Sequence, residues 1–129
     1  MPKFRCNKLG RDKSLEGFKS EGITLKYKFL KGEELQHELK QKLIEEAEEV
    51  KNEVCKDNII LELADVLEVI DGICKAYGID KKELIRIKEE KYKGRGGFET
   101  GLYVEVVEMK EDNPRVKHFR VFPNRYPEE

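Results

Sequence analysis

Four carboxylates in this chain occupy helix positions that geometry assigns to buried stripes, and they limit what it can fold into more than any other feature. Glu45-Glu46-Ala47-Glu48-Glu49 is followed by twelve residues and then by Glu62-Leu63-Ala64-Asp65. The pairs Glu46/Glu49 and Glu62/Asp65 each have i, i+3 spacing, which sets both acids of a pair on one helix face. With Glu46 as zero and about 100° per residue, Leu39, Val50 and Leu43 fall at about 20°, 40° and 60°. Glu46 thus lies inside the apolar stripe of its own helix, with Glu49 at its edge. With Glu62 as zero, Val69, Ile73, Val66 and Ile59 fall at about −20°, 20°, 40° and 60°, and Asp65 at about −60°. Both helices turn acids toward a partner. Burying one unpaired carboxylate costs several kcal/mol, and several together repel. Something cationic must meet them. Hard divalent cations such as Mg²⁺ take oxygen ligands and bridge carboxylates to substrate phosphates.

Composition excludes other classes. At 129 residues the chain suits a single domain with one modest core. Lys and Arg number 26 against 27 Asp and Glu, a net charge of −1, which argues against nucleic acid as a partner. No apolar run approaches the roughly 18 residues of a membrane span and no signal peptide is seen, so a soluble, cytoplasmic protein is expected. Cys6, Cys55 and Cys74 are odd in number and widely spaced, which fits a reducing compartment better than a disulfide framework or a zinc site. His37 and His118 form no ligand motif.

The elements follow from periodicity. Residues 1–22 are basic and weakly patterned, and Lys8-Leu9-Gly10-Arg11-Asp12-Lys13 reads most simply as a solvated turn. Ile23, Leu25, Tyr27 and Phe29 alternate with polar residues, which predicts a short one-sided strand. After Gly32 a long helix is expected from about Glu33 to Val54. Asp57-Asn58 reads as a turn and N-cap, opening a second helix from about Ile59 to Tyr77. In that helix Gly72 allows close approach and Gly78 is the stop. Asp80 and Glu83 resemble a capping box for a third helix, to about Lys93. With Leu84 as zero, Lys88, Lys91 and Arg95 fall at about 40°, −20° and 20°, so an apolar stripe becomes cationic. It ends in Gly94-Arg95-Gly96-Gly97-Phe98, a turn that suits phosphate oxygens. The plainer reading is lysine stems lying over a core edge with glycines ending the helix. Val- and Tyr-rich residues 101–109 and apolar 117–122, split by Asp112-Asn113-Pro114, predict a C-terminal β-hairpin at about 101–122. The fold class is therefore mainly α: a helical bundle with a short N-terminal strand and a C-terminal hairpin.

The acid pattern resembles the MazG-like, all-α nucleoside triphosphate pyrophosphohydrolases. The segments Lys8–Lys13 and Arg95-Gly96-Gly97-Phe98 are similar to a phosphoribosyl-ATP pyrophosphohydrolase-like subgroup. The resemblance spans roughly residues 7–100. Ser14-Leu15 stands where the family often has Ile-Pro. Val66-Leu67-Glu68-Val69 stands where the phosphoribosyl-ATP enzymes tend to have Tyr-His, so a histidine-pathway role is not carried over. The resemblance implies a bundle binding Mg²⁺ (with Mn²⁺ as a substitute) through Glu46, Glu49, Glu62 and Asp65. It implies hydrolysis of a nucleoside triphosphate to monophosphate and pyrophosphate, and house-cleaning of non-standard nucleotides. It also implies a homodimer or homotetramer with the bundle completed across subunits. Lys88, Lys91 and Arg95 are the candidates for holding phosphates. Glu45, Glu48 and Glu53 are reserve acids, with Glu53 near the direction of Glu46. Two other readings compete: a non-catalytic helical module in which the acids form a structural ion network, and a metal-dependent phosphohydrolase acting on another phosphorylated substrate.

Overall fold

In a computed structural model describing residues 1–129, the chain is mainly helical, with five helices and no strands. They are α1 (Ser14–Ser20), α2 (Gly32–Asn52), α3 (Lys56–Tyr77), α4 (Lys81–Arg95) and α5 (Val116–Val121). The chain divides into two compact units, Met1–Lys93 and Gly94–Glu129.

The first unit is built on one antiparallel helix hairpin, α2 against α3. Its apolar seam is the one the periodicity marks. Leu35, Leu39, Leu43 and Val50 of α2 are half-buried, as are Ile59, Val66, Ile70 and Ile73 of α3. At Gly72 the helices pack closely: a Cβ there would lie 3.0 Å from Leu39 Cδ2. Nearer the open end, Gln36 Nε2 donates to the Ala76 carbonyl at 3.2 Å. At the closed end the seam carries acids instead of hydrocarbon. The core is thin. Only Val69 (8% exposed), Cys74 (3%) and Glu46 (8%) fall below a tenth exposed.

The helix ends differ from expectation by small, explicable amounts. α2 stops at Asn52 rather than Val54, because Glu53 is already extended at φ −83°, ψ 145°. α3 starts at Lys56, about one turn before the expected Ile59: Cys55 is its N-cap, and Ile59 N–H donates to the Cys55 carbonyl at 2.9 Å. Asp57 instead lies in the first turn, where a carboxylate suits the positive end of the helix. Gly78 ends α3 in the left-handed region, φ 66°, which a side chain would strain. Asp80 Oδ1 accepts from Lys82 N–H at 2.9 Å, giving half of the expected capping box. The other half is absent because the Glu83 carboxylate is taken by Arg86, at 2.7 Å. α1 was not expected; it opens with Ser14 N–H donating to the Arg11 carbonyl.

Neither expected β element forms. Residues 23–29 form no regular element, and Tyr27 and Phe29 meet edge-on at 5.5 Å. They find no neighbouring strand, and Tyr27 and Phe29 stay exposed. Strand pattern without a ladder partner does not make a sheet. In the second unit residues 101–110 are irregular, and 116–121 is helix α5 instead of a strand. Asp112-Asn113-Pro114 is a turn as expected, but it leads into a helix: Asn113 Oδ1 accepts from Arg115 N–H, and the Asn113 carbonyl from Val116 N–H. Arg120 then clamps this unit, donating to both carboxylate oxygens of Glu111 (2.6 and 3.0 Å) and of Glu128 (2.8 and 3.2 Å). The helical turn also sets Phe119 edge-on to Tyr126, 4.9 Å between ring centres. An isolated hairpin is marginal in water, and these local contacts outweigh it.

Candidate metal centre

Three carboxylates converge where α2 and α3 run side by side. One oxygen each from Glu46, Glu49 and Glu62 lies within 4.8 Å of the others, close enough for one ion to touch all three. Glu46 is buried, Glu62 half-buried and Glu49, at the edge of its stripe, exposed. Glu62 Oε2 is buried with no hydrogen-bond partner. Loss of water, and then the charges of Glu49, Asp65, Glu46 and Glu53, push the Glu62 carboxyl above the usual glutamate range.

The surrounding cations are unevenly shared. Lys42, one turn before Glu46, reaches Glu46 at 3.5 Å and Glu45 at 3.3 Å. Lys8 reaches Glu45 at 3.2 Å, and Arg11 reaches Asp65 at 2.5 Å. Burial works to raise the Glu45 carboxyl, but the hydrogen bonds from Lys8 and Lys42 outweigh it and hold the group below its ordinary value. The Lys8 amine is raised chiefly by its bond to Glu45, and the charge of Glu49 adds to this. No ion pair reaches Glu49 or Glu62.

Of the residues marked in the sequence, Glu46, Glu49 and Glu62 are brought together. Asp65 stands one turn beyond Glu62 and is held by Arg11, outside the converging three. Glu53 lies just past the end of α2 and acts on Glu62 through its charge. Lys88 and Lys91 are exposed on α4, and no ion pair joins either to the α2–α3 acids. Arg95 ends α4 and belongs to the second unit. Sequence reasoning took Lys8 and Arg11 for a solvated turn and gave Lys42 no role. Lys42 was legible, because it stands i, i+3 and i, i+4 from Glu45 and Glu46. The arm residues were not, because nothing local says that a basic turn will meet a helix more than thirty positions away in sequence. Compared with protein-family models, curated proteins and solved structures, the chain matches none.

Proposed function

We propose that the protein is a Mg²⁺-dependent nucleoside triphosphate pyrophosphohydrolase, with Mn²⁺ as a working substitute. The carrying observation is the convergence of Glu46, Glu49 and Glu62 around a buried carboxylate oxygen that no protein cation satisfies. Oxygen-only donors of this kind suit hard divalent ions. A divalent ion held there supplies charge neutralisation for a phosphate chain and an acidic water. Asp65 stands by as the fourth acid, released from Arg11 on loading. Glu62 is the ligand whose ionised form metal binding stabilises most, because nothing else offsets its burial. The acid pattern's resemblance to the MazG-like enzymes selects a nucleoside triphosphate as substrate, cleaved to monophosphate and pyrophosphate, and non-standard nucleotides as the target.

The working unit in this proposal is a homodimer or homotetramer. Ile60, Leu63 and Leu67 form a second apolar stripe on α3 that α2 does not cover, and Leu84, Ile85 and Ile87 are exposed on α4. A bundle completed by a second copy would cover such stripes. It is in such an assembly that Lys88, Lys91 and Arg95 are proposed to reach phosphates. No helix is long and apolar enough to cross a membrane. Three free cysteines suit the reducing cytoplasm proposed as its location.

A structural ion network is the competing reading, favoured by the Lys8, Arg11 and Lys42 pairs, but it leaves Glu49 and Glu62 unanswered. A panel of nucleoside triphosphates with Mg²⁺ decides between them. Pyrophosphate release with at least one of them is expected, lost in Glu62→Gln. Orthophosphate as product would point to a different phosphohydrolase, and no turnover across the panel would leave the network. The same preparation, sedimented at micromolar concentration, should run as a dimer or tetramer.

A further inference from the structure

The segment before α1 straddles the acidic cluster. Lys8 bonds to Glu45 on α2 and Arg11 to Asp65 on α3, so four consecutive residues span the mouth between the two helices. Asn7, at φ 48° in the left-handed region that asparagine tolerates better than most residues, turns the chain just before Lys8. Leu9, between the two cations, is half-buried and anchors the arm. Beneath residues 6–9 a groove of about 420 Å³ separates the arm from the α2 face bearing Glu38, Lys42 and Glu45. The two cationic side chains remain open to solvent, 55% exposed for Lys8 and 62% for Arg11.

Pairs this exposed contribute little to stability, so holding the fold together does not explain them. Charge does. Six carboxylates (Glu45, Glu46, Glu49, Glu53, Glu62 and Asp65) face three cations (Lys8, Arg11 and Lys42), an excess of three negative charges. One divalent ion offsets two of the three. With it in place, Lys8 and Arg11 stand at the rim of a nearly neutral site, and any anion entering beside the metal meets both. Arg11 donates to Asp65 through one guanidinium nitrogen only, leaving the rest of its fork for two oxygens of a phosphate.

We propose that Lys8 and Arg11 form a phosphate clamp: they hold Glu45 and Asp65 in the metal-free protein and transfer to the phosphate chain of the substrate once the metal is bound. The proposal rests on the divalent-metal reading of the acids and adds to it which residues grip the anion.

Two titrations of the full chain test it, one with Mn²⁺ alone read by electron paramagnetic resonance, the other with α,β-methylene-ATP in saturating Mg²⁺ read by calorimetry. Lys8→Gln and Arg11→Gln should bind Mn²⁺ as tightly as wild type or more so, since each removes a competing cation. Both should bind the nucleotide analogue about tenfold more weakly or worse. Arg11→Lys, which keeps the charge and the surface character but loses the fork, should fall between. Unchanged analogue binding in both glutamine variants would overturn the clamp. So would a parallel loss of Mn²⁺ and analogue, which would mean that the arm only positions the carboxylates. Wild type that binds no Mn²⁺ would overturn the metal reading and the clamp with it, whereas Mn²⁺ binding without the analogue effect removes the clamp alone.

Discussion

At the scale of single residues, Lys42 is the cation on which the buried part of the cluster depends. Its amine is the only one that reaches Glu46, and the two side chains are 19% and 11% exposed. Removing one partner of such a pair leaves the other charge poorly solvated and unmatched. Lys42→Met keeps most of the stem's packing and deletes the charge. In EDTA it should lower stability by about 1–3 kcal/mol in urea unfolding. Saturating Mg²⁺ should recover most of that loss, because the ion replaces the missing positive charge. A loss that Mg²⁺ does not touch would place Glu46 outside the metal's reach. Glu46 and Glu62 could be marked from sequence because a helical wheel fixes direction from identity alone. Arg11 could not, since its partner Asp65 is set by how the chain folds back over α2 and α3.

At the scale of elements, the α2–α3 hairpin was legible, since two long stripes of period 3.6 leave little choice. The strand and hairpin were misread for one reason. Alternation says which way side chains point but not whether a neighbour will pair, and residues 23–29 and 101–110 have none. α5 forms because Arg120, Glu111 and Glu128 meet around it, pairs eight and nine residues apart that neither helix nor strand periodicity marks. Gly72 tests the hairpin's closeness. Alanine there gains helix propensity worth about 1 kcal/mol, but its Cβ must press Leu39 aside at 3.0 Å. The two terms nearly offset, so Gly72→Ala should be close to neutral. Gly72→Val adds bulk and loses that gain in propensity, and should destabilise by about 1–3 kcal/mol. Thermal unfolding of the two variants checks the pair, and a harmless valine would mean that the helices do not approach so closely.

At the scale of the whole molecule, one chain holds its converging acids in place with very little core. A hairpin with only Val69 and Cys74 as buried apolar side chains has a small reserve of stability, and it carries a carboxylate with no partner in its seam. A ligand that binds only the folded state stabilises it by mass action, so metal should act on stability and on chemistry through the same residues. The measurement that tests this most directly is the melting temperature of wild type and Glu62→Gln in EDTA and in saturating Mg²⁺. In EDTA the variant should be as stable as wild type or more so, since it removes a desolvated charge among like charges. Mg²⁺ should raise the wild-type melting temperature and the variant's much less. If Glu62→Gln instead loses about 3–5 kcal/mol with or without metal, as breaking a buried ion pair would, and Mg²⁺ leaves wild type unmoved, the acids are a structural network and the metal-dependent hydrolase account is wrong.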